Sequence, residues 1–340
     1  MQHSGNGVIT QNLLVGIAYN LEEARAGYPF NTAQLSNICS TDCIYEALCS
    51  LGYQAARIPL SGSPEQIRAE LAAFSREDTL IFNNVDGCGS DPLGAAHVLE
   101  LIEEMGFRHT GSTAEVTALC TDKAAAKQKL LDNGIPTPAF QVFDRPAGEI
   151  KVNFPAIVKP LFQDASIGIG LDSVVYDPQA LYQQIAKVLE QYSPRALLEE
   201  FIPGRELSVS LLGEEFLAIS EEDYSQIPDT AKHLITYDAK WNPQDYFYQH
   251  IILRCPAPLS AADEAIILGM MRKAVKVLGL RDYGRMDIRY YQQIPYFLDM
   301  NETPDLGDDA GFYLSASRSG YTYEQMIQSL LNIALKRKDG

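Results

Sequence analysis

The chain has 340 residues, 46% of them hydrophobic and 21% charged, which is typical of a folded protein with two or three lobes. Its 27 basic and 44 acidic side chains give a formal net charge of −17, which disfavours nucleic acid and anionic lipid as partners. No segment approaches the ~20 apolar residues that span a bilayer. The N-terminal residues also lack the basic and apolar regions of a secretory signal.

The six cysteines do not form the pattern of a disulfide scaffold in a chain of this length. Cys39 and Cys43 would share one face of a helix, but no histidine cluster or CxxC motif accompanies them. Buried thiols are therefore favoured over a zinc site. Free thiols and the missing secretory signal together predict a cytoplasmic protein.

The first part of the chain alternates strands with helices. Residues 13–19 and 79–84 are predicted to be buried strands, and residues 40–51 and 95–105 are predicted to be helices. This alternation is typical of a parallel sheet, which binds ligands at the carboxyl ends of its strands. We expect an N-terminal parallel α/β lobe over residues 1–111.

The second part of the chain carries a lysine and a glycine loop in neighbouring positions. Lys159 ends an apolar strand, where a charged amine is costly unless it meets an anion. The backbone N–H groups of the glycine-containing loop at residues 166–170 can approach phosphate, although a solvated turn is the default interpretation of such a loop. The elements predicted for this central lobe, residues 112–202, are a helix at 123–131 and strands at 154–160 and 196–202.

The third part, residues 203–340, carries an acidic hairpin between predicted helices at 261–278 and 323–335. Strand alternation places Arg285 and Asp287 on one face of the first hairpin strand, and Asp299 and Asn301 on one face of the second. If the strands pair, two carboxylates and an amide oxygen converge beside a guanidinium. Hard oxygen ligands suit Mg²⁺ bound with nucleotide phosphates. On these residues alone, a charged surface hairpin is an equally good interpretation.

The order of these motifs resembles the ATP-grasp fold and, within it, the D-alanine–D-alanine ligase family. The resemblance is closer over residues 80–335 than over the first 80. It implies an α/β fold of three lobes: an N-terminal parallel α/β lobe, a central α+β lobe, and a C-terminal α+β lobe with an antiparallel sheet. The motifs that carry it are Thr121-Asp122-Lys123, Val158-Lys159-Pro160, residues 199–207, and Arg285-x-Asp287 through Asn301.

The resemblance implies a role for most of these residues in binding ATP. Lys123 and Lys159 correspond to the lysines that hold the phosphates, and Ser166 lies in the loop that closes over them. Lys240 corresponds to a lysine that meets the γ-phosphate from a mobile loop, and Glu206 to the ribose ligand. The residues implied for the adenine-binding strand are Glu199, Glu200, Phe201 and Ile202.

The resemblance also implies the metal ligands and the reaction. Asp287, Asp299 and Asn301 match ligands of Mg²⁺ or Mn²⁺, with Asp299 standing where the family usually has glutamate. Arg285 matches the residue that stabilises the acyl phosphate and the tetrahedral intermediate. ATP would phosphorylate a small-molecule acceptor, an amino acid would attack through its amine, and ADP and phosphate would leave. A homodimer formed through the first lobe is also implied.

Three segments depart from the family pattern where the family binds its substrates. At the N-terminal substrate loop, the acidic residue that could replace the family's glutamate is Glu22, or Glu23 in another register. Ala165 and Trp241 replace a serine and a tyrosine that hydrogen-bond to that glutamate. Trp241 is the only tryptophan, and both a core position and a position covering a ring-shaped substrate are compatible with it.

The third departure follows Pro304, where the family grips a substrate carboxylate with a serine and backbone amides. Here the segment 305–313 brings Asp308, Asp309 and Gly311. Two carboxylates would repel a substrate carboxylate but could bind an ammonium group or hydroxyls. The alternative is that Asp308 and Asp309 point into water.

These departures favour a specialised ligase over a standard cell-wall enzyme. One such relative is the ligase type that joins serine or threonine to mycosporine-glycine. Two alternatives stay open: a D-alanine–D-alanine ligase with a remodelled pocket, and a nucleotide-binding regulatory protein without catalysis.

Overall fold

The computed structural model describes residues 13–20, 31–87, 91–228 and 233–337, with no side-chain description for residues 31–35. Three sheets organise the molecule, and each lies in one of the predicted lobes. The predicted three-lobed α/β fold is confirmed, with a parallel first sheet and an antiparallel third sheet, and the sheet of the central lobe is also antiparallel. Within the described residues, no helix has the length and apolar character needed to cross a membrane.

The first sheet is parallel and has the order β2-β1-β3-β4. Its strand β1 is central and almost fully buried, as expected for a sheet covered on both faces. The strands are β1 (Leu14–Asn20), β2 (Gln54–Leu60), β3 (Thr79–Asn84) and β4 (Arg108–His109), and the helices are α1 (Asn31–Ser50), α2 (Pro64–Leu71) and α3 (Gly94–Glu104).

The second sheet is antiparallel and has the order β5-β8-β6-β7. Asp122 caps the helix that precedes it, because its carboxylate accepts the backbone N–H groups of Ala124 and Ala125. The elements are α4 (Ala114–Thr121), α5 (Lys123–Asp132), β5 (Phe140–Phe143), β6 (Ala156–Pro160), a 3₁₀ turn (Leu171–Ser173), β7 (Val174–Val175), α6 (Pro178–Gln191) and β8 (Ala196–Glu200).

The third sheet is antiparallel and has the order β12-β11-β9-β13-β14, with β10 paired to β9. Its strands are β9 (Arg205–Leu212), β10 (Glu215–Phe216), β11 (Ser220–Asp223), β12 (Ile252–Arg254), β13 (Tyr283–Tyr291) and β14 (Ile294–Asn301). The helices of this part are α7 (Tyr237–Trp241), α8 (Tyr246–His250), α9 (Ala261–Leu278), α10 (Gly311–Arg318) and α11 (Tyr323–Lys336).

The hairpin of β13 and β14 pairs through a tight turn at Gln292 and Gln293, both of which have positive φ. Arg285 lies opposite Asn301, and Asp287 lies opposite Asp299. A β-bulge directly after Asp287 shifts the register by one residue. Such bulges change the direction of side chains and occur next to active sites.

The hydrophobic core under the third sheet explains why its other face can be polar. Val209, Met286, Ile288 and Met300 alternate with polar residues and pack against Met271 and its neighbours on α9. This core also contains Cys120 from α4 and Ala126 and Leu130 from α5. Residues predicted for the central lobe therefore also stabilise the third sheet, and the lobe boundaries at 111 and 202 stay predictions.

Several element boundaries differ from the prediction. Helix α1 begins at Asn31, nine residues before the predicted start, because its first turns are polar and give no clear apolar periodicity. The predicted burial of thiols is wrong for Cys39, which is exposed, and Cys43 is only half-buried. Helix α9 spans the predicted residues, with Ser260 as its N-cap and Gly279 (φ 85°) after its last turn.

Candidate active site

One face of the third sheet collects polar side chains from four neighbouring strands, and we call it the polar face. The strand register brings these residues into rows, because directly paired residues of antiparallel strands share a face. One row joins Ser220, Ser208, Asp287 and Asp299, and the next joins Ser210, Arg285 and Asn301. The third row joins Glu222, Glu206 and Arg289.

The carboxylate of Asp287 is held from two sides. Arg285 donates two hydrogen bonds to it, from Nε to Oδ1 and from Nη2 to Oδ2, both at 2.9 Å. Ser208 Oγ donates to Oδ1 at 2.7 Å. The charge of Asp287 also raises the pKa of Arg285. Arg285 and Asp287 are thus paired, and a metal ion or a substrate at Asp287 would compete with this pair.

A cluster of three lysines lies beside Asp299 at the edge of the polar face, and we call it the lysine cluster. It consists of Lys123 and Lys127 from α5 and Lys159 from β6, all of them buried. The Glu199 carboxylate lies 2.7 Å from Lys127 Nζ and 2.8 Å from Lys159 Nζ. Asp299 lies 3.6 Å from Lys123 and 3.9 Å from Lys159. The cluster therefore joins helix α5, the second sheet and the hairpin.

The charges of the cluster shift the pKa values of its carboxylates. Burial opposes ionisation of Asp299 and Glu199, but the lysines outweigh burial and lower both pKa values. Burial lowers the pKa of Lys127, and Glu199 offsets only part of that effect. Burial also opposes protonation of Lys123, but Asp164 and Asp299 outweigh it and raise its pKa. Glu199 and Asp299 likewise outweigh burial and raise the pKa of Lys159, so Lys123 and Lys159 both provide ammonium groups beside Asp299.

The sequence does not predict Lys127 as a site residue, although it is as deeply buried as Lys123 and Lys159. Its Nζ also donates to the backbone oxygen of Phe297 at 3.0 Å. The only signal in the sequence is its spacing of four residues from Lys123, which places both on one helix face. That spacing is common on exposed helices, so it does not single out a buried lysine.

The loop at residues 164–170, here called the glycine loop, has a constrained backbone. Ala165 and Ser166 have φ values of 54° and 60°, in the left-handed region that non-glycine residues seldom adopt. Gly168 has φ 75°, and a side chain there would meet Pro160 and Tyr192 at under 3 Å. Asp164, at the start of the loop, reaches Lys123 Nζ at 2.5 Å. Asp164 thus forms an ion pair with Lys123, one of the two lysines that the resemblance assigns to the phosphates.

A second segment covers the glycine loop, and we call residues 235–241 the lid. Trp241 Nε1 donates to the backbone oxygen of Ala165 at 3.0 Å, and Ser166 Oγ donates to that of Ile235 at 3.1 Å. A third hydrogen bond joins Tyr237 N to the oxygen of Ile169 at 2.9 Å. Trp241 is half-buried, so it does not occupy a core position, and a position covering a ring-shaped substrate stays a prediction.

Lys240 lies on the lid directly before Trp241, and its Nζ is 5.1 Å from the centre of the indole ring. Its side chain remains accessible to solvent. The surrounding protein nevertheless displaces water and lowers the pKa of Lys240, and the positive charge of Arg285 acts in the same direction. Lys240 therefore lies close to Arg285, and a bound anion would stabilise its charged form.

Glu206 occupies the end of the polar face nearest the second sheet. Arg289 Nη2 and Tyr224 Oη both donate to its Oε2, each at 2.6 Å. Arg289 also donates to the backbone oxygen of Gly204 at 3.1 Å, and its guanidinium lies 5.5 Å from the centre of the Phe201 ring. These contacts fix the carboxylate and tie the segment after β8 to the third sheet.

The segment predicted to bind adenine begins in β8 and continues beyond it. The side chain of Glu199 belongs to the lysine cluster. The amides of Glu200 and Phe201 donate to the backbone oxygens of Ala139 and Pro155. Ile202 is buried. The hydrogen bonds formed by these two amides are thus internal to the protein.

Glu222 is a further acidic residue on the polar face that the sequence prediction did not include. Burial raises its pKa to about 7, and the negative charges of Glu206 and Asp287 act in the same direction. Within the sequence Ser-Glu-Glu-Asp of β11, it is indistinguishable from a residue of a charged surface strand. Only the pairing of β11 with β9 reveals which of these acids faces the cleft.

The residues proposed for the substrate side lie around the loop after β14. Asp308 and Asp309 are exposed, and Gly311 opens helix α10 with free space where a side chain would project. Asp305 is fixed instead, because Ser36 Oγ donates to its Oδ2 at 2.5 Å and Gly307 N donates to its Oδ1 at 2.9 Å. Glu22 lies outside the described residues.

The donor set for a divalent cation consists of the paired side chains Asp287 and Asp299 with Asn301 beside them. Paired side chains on antiparallel strands have Cβ atoms about 5 Å apart. Two carboxylates and an amide oxygen suit Mg²⁺, which prefers oxygen ligands. The residues therefore fit a Mg²⁺ ion. Among the described parts of the chain, no three His, Cys, Asp or Glu side chains form a metal-binding group by themselves.

The three sheets, the lysine cluster and the polar face together define an ATP-grasp enzyme. A D-alanine–D-alanine ligase from Bacillus anthracis, solved in complex with ATP, superposes with a TM-score of 0.74 at 18% identity over 95% of this chain and 98% of that chain. A family model described as the D-ala D-ala ligase C-terminus matches residues 131–332.

The chain is also similar to two proteins over most of its length, one of which is a named ligase. A D-alanine–D-alanine ligase from Methylacidiphilum infernorum is 30% identical over 92% of this chain and 94% of its own length. An uncharacterized protein from Sinorhizobium fredii is 28% identical over 78% of both chains. The chain belongs to the D-alanine–D-alanine ligase family, and its class is that of ATP-dependent ligases that form C–N bonds.

Proposed function

We propose that the protein binds ATP between the second and third sheets and joins an amino acid, through its amine, to an acceptor activated by phosphorylation. The observation that carries this proposal is the position of the lysine cluster at the edge of the polar face. Lys123 and Lys159 provide buried ammonium groups beside Asp299. Cations beside metal-binding carboxylates are the arrangement required for moving a phosphoryl group.

In this proposal each part of the nucleotide has a binding residue. Lys123 and Lys159 hold the phosphates, Lys240 reaches the γ-phosphate from the lid, and Ser166 lies in the glycine loop above them. Glu206 binds the ribose through its remaining oxygen, because its internal contacts both fall on Oε2. Segment 199–202 lines the adenine. Lys123 must first release Asp164, whose carboxylate contacts its Nζ.

Asp287, Asp299 and Asn301 would hold Mg²⁺. The ion, when bound, neutralises charge on the phosphate oxygens. Binding of the metal would release Arg285 from its two hydrogen bonds to Asp287. The guanidinium would then be available to stabilise negative charge on the acceptor.

The reaction proceeds in two steps. An oxygen of the acceptor attacks the γ-phosphorus, and the bond between that phosphorus and the bridging oxygen of ADP breaks. The amine nitrogen then attacks the activated carbon and loses a proton, and the C–O bond breaks as phosphate leaves with the electron pair. Where the acceptor oxygen belongs to a carboxylate and not to a ring carbonyl, Arg285 stabilises the oxyanion of the tetrahedral intermediate. The lid and the glycine loop keep water from the phosphorylated acceptor, which would otherwise hydrolyse.

The acceptor proposed here is not D-alanine. Support comes from the loop after β14. Ser36 holds the carboxylate of Asp305 there, and the N-cap of α10 is Ala310, whose side chain cannot form a capping hydrogen bond. Carboxylates in this region disfavour an anionic substrate group and favour hydroxyls or an ammonium group. A ring-shaped polyhydroxy acceptor such as mycosporine-glycine, joined to serine or threonine, meets this requirement.

The second candidate is synthesis of D-alanyl-D-alanine itself. It is favoured by the relatives, since the ligase from Methylacidiphilum infernorum aligns over 92% of this chain. A carboxylate could then bind at the N-terminus of α10, where Gly311 leaves space. Both candidates share the nucleotide site and differ in the acceptor.

The test is ADP release from ATP and Mg²⁺ by the purified protein in the presence of D-amino acids, L-amino acids and mycosporine-glycine. Release that requires an L-amino acid and mycosporine-glycine together supports the specialised ligase. Release with D-alanine alone contradicts it and supports the second candidate. Release with no panel member, in a protein that binds ATP, contradicts both.

The variant Asp287→Asn distinguishes an enzyme from a regulatory protein that binds nucleotide without catalysis. We expect amine-dependent ADP release to fall at least ~100-fold, a loss of about 3 kcal/mol of transition-state stabilisation. Glu115→Gln is the control, because Glu115 is exposed on α4.

A homodimer is part of the proposal, and light scattering that finds only the monomer mass contradicts it.

A further inference from the structure

Glu222 lies on the polar face beside Glu206 and takes no part in the proposed reaction. It is paired directly with Glu206 of the neighbouring strand, so both side chains project from the same face. No hydrogen bond or ion pair engages its carboxylate within the residues that the structure describes. Directly paired residues have Cβ atoms about 5 Å apart.

Two carboxylates at this spacing repel each other unless something lies between them. Glu206 is already balanced by Arg289 and fixed by Tyr224, both of which contact Oε2. Glu222 has no comparable partner. A ligand with two adjacent hydroxyl groups would satisfy both acids, because each hydroxyl can donate to one carboxylate.

We propose that Glu222 binds one hydroxyl of the nucleotide ribose while Glu206 binds the other, so that the enzyme selects ribonucleotides over deoxyribonucleotides. This inference rests on the proposed function, since it assumes that the nucleotide lies on the polar face. It extends that function by adding a residue that determines nucleotide specificity.

A hydroxyl fits this position better than a cation. Three positive groups already lie on or above the polar face, on Arg285, Arg289 and Lys240, and they disfavour a further positive ligand. The pKa of Glu222 is raised to about 7, so much of the population is uncharged at neutral pH. An uncharged carboxyl both donates to and accepts from a hydroxyl, whereas it binds a metal ion poorly.

The experiment is calorimetric titration of the full-length protein with ADP, 2′-deoxy-ADP and 3′-deoxy-ADP, each with Mg²⁺. Two variants are compared with the wild type. Glu222→Leu removes the polar group, and Glu222→Gln keeps its ability to donate and accept. The control is Glu221→Gln, because Glu221 points to the opposite face of β11, where it pairs with Arg205 at 2.5 Å.

We expect the wild type to bind 2′-deoxy-ADP and 3′-deoxy-ADP each roughly fivefold more weakly than ADP, because each lacks one of the two hydroxyls. Glu222→Leu should reduce this ratio to below about twofold for one of the two deoxynucleotides, and Glu222→Gln and Glu221→Gln should keep both ratios. Thermal unfolding confirms that each variant is folded.

Three results overturn the inference. The wild type binds ADP and both deoxynucleotides equally; Glu222→Leu keeps the wild-type ratio; or Glu222→Leu changes only the Mg²⁺ concentration that binding requires, which would make Glu222 a metal ligand. A wild-type protein that binds none of the three nucleotides instead overturns the proposed function, so the two failures are distinguishable.

Discussion

The substitution Lys127→Met tests whether the lysine cluster stabilises the fold. Lys127 is 2% exposed, and its Nζ lies 2.7 Å from Glu199 and 3.0 Å from the backbone oxygen of Phe297. Methionine matches the length of the lysine stem but leaves Glu199 with one fewer cation. Removing one partner of a buried ion pair costs about 3–5 kcal/mol.

We expect the lower end of that range, because Lys159 remains 2.8 Å from Glu199 and still neutralises it. A loss of about 3 kcal/mol lowers the folding equilibrium constant more than 100-fold. The assay is guanidinium unfolding followed by far-UV circular dichroism, which reports on all three sheets.

The matched control is Lys129→Met on the same helix, whose side chain is exposed. An exposed substitution of this kind should change the unfolding free energy by less than about 0.5 kcal/mol. If Lys127→Met costs under about 1 kcal/mol and resembles the control, Lys127 does not carry the proposed share of stability and the reasoning is refuted.

Three further predictions concern the lid, the buried acid next to the metal ligands, and the glycine loop. Trp241→Phe removes one hydrogen bond to Ala165, so hydrogen exchange of amides in the glycine loop should accelerate roughly fivefold; an unchanged rate contradicts the lid contact. Burial raises the pKa of Glu302 to about 8. The folded state thus keeps this proton to higher pH than the unfolded state, and wild-type stability should fall by about 3 kcal/mol more between pH 5 and pH 8 than that of Glu302→Gln. Equal pH slopes in denaturant unfolding would show that this pKa is not raised. Asp164→Asn weakens a competitor for Lys123, so ADP should bind about two- to fivefold more tightly by calorimetry; equal or weaker binding would show that Asp164 and phosphate do not compete.

The hairpin and helix α9 could be predicted from the sequence because their signals are local. Alternation places Arg285 with Asp287 on one strand and Asp299 with Asn301 on the other. The register set by the turn would pair Asp287 with Leu298, and the bulge after Asp287 shifts it by one residue and places Asp287 opposite Asp299, which alternation does not predict. Ser260 and Gly279 mark the ends of α9 through hydrogen bonding and backbone geometry that these residue types favour.

Lys127 and Glu222 could not be predicted because their environments depend on distant parts of the chain. Lys127 is buried by β8 and the hairpin, 72 and 170 residues away, as its contacts with Glu199 and Phe297 show. Glu222 faces the cleft only because β11 pairs with β9 in one register, and a shift of one residue would turn Glu221 inward instead. Neither interaction leaves a periodic signal in the sequence.

The C-terminal helices complete the core of the N-terminal lobe. Phe312 of α10 and Met326 and Leu330 of α11 pack in one cluster with Val15 and Ile44 of the first lobe. The last helix therefore covers a surface formed some 280–310 residues earlier in the chain.

Further contacts fasten the first lobe to the third sheet. Asp282 accepts a hydrogen bond from Gly111 N at 2.8 Å, and Tyr283 Oη donates to the backbone oxygen of Asn83 at 3.0 Å. The protein consequently cannot be shortened to its nucleotide-binding part, since either half of this joint core would be left with an uncovered apolar face. The first and third sheets therefore share one hydrophobic core. Within the described residues, the second sheet contributes no residue to this shared core and meets the third sheet through the ion pairs of the lysine cluster instead.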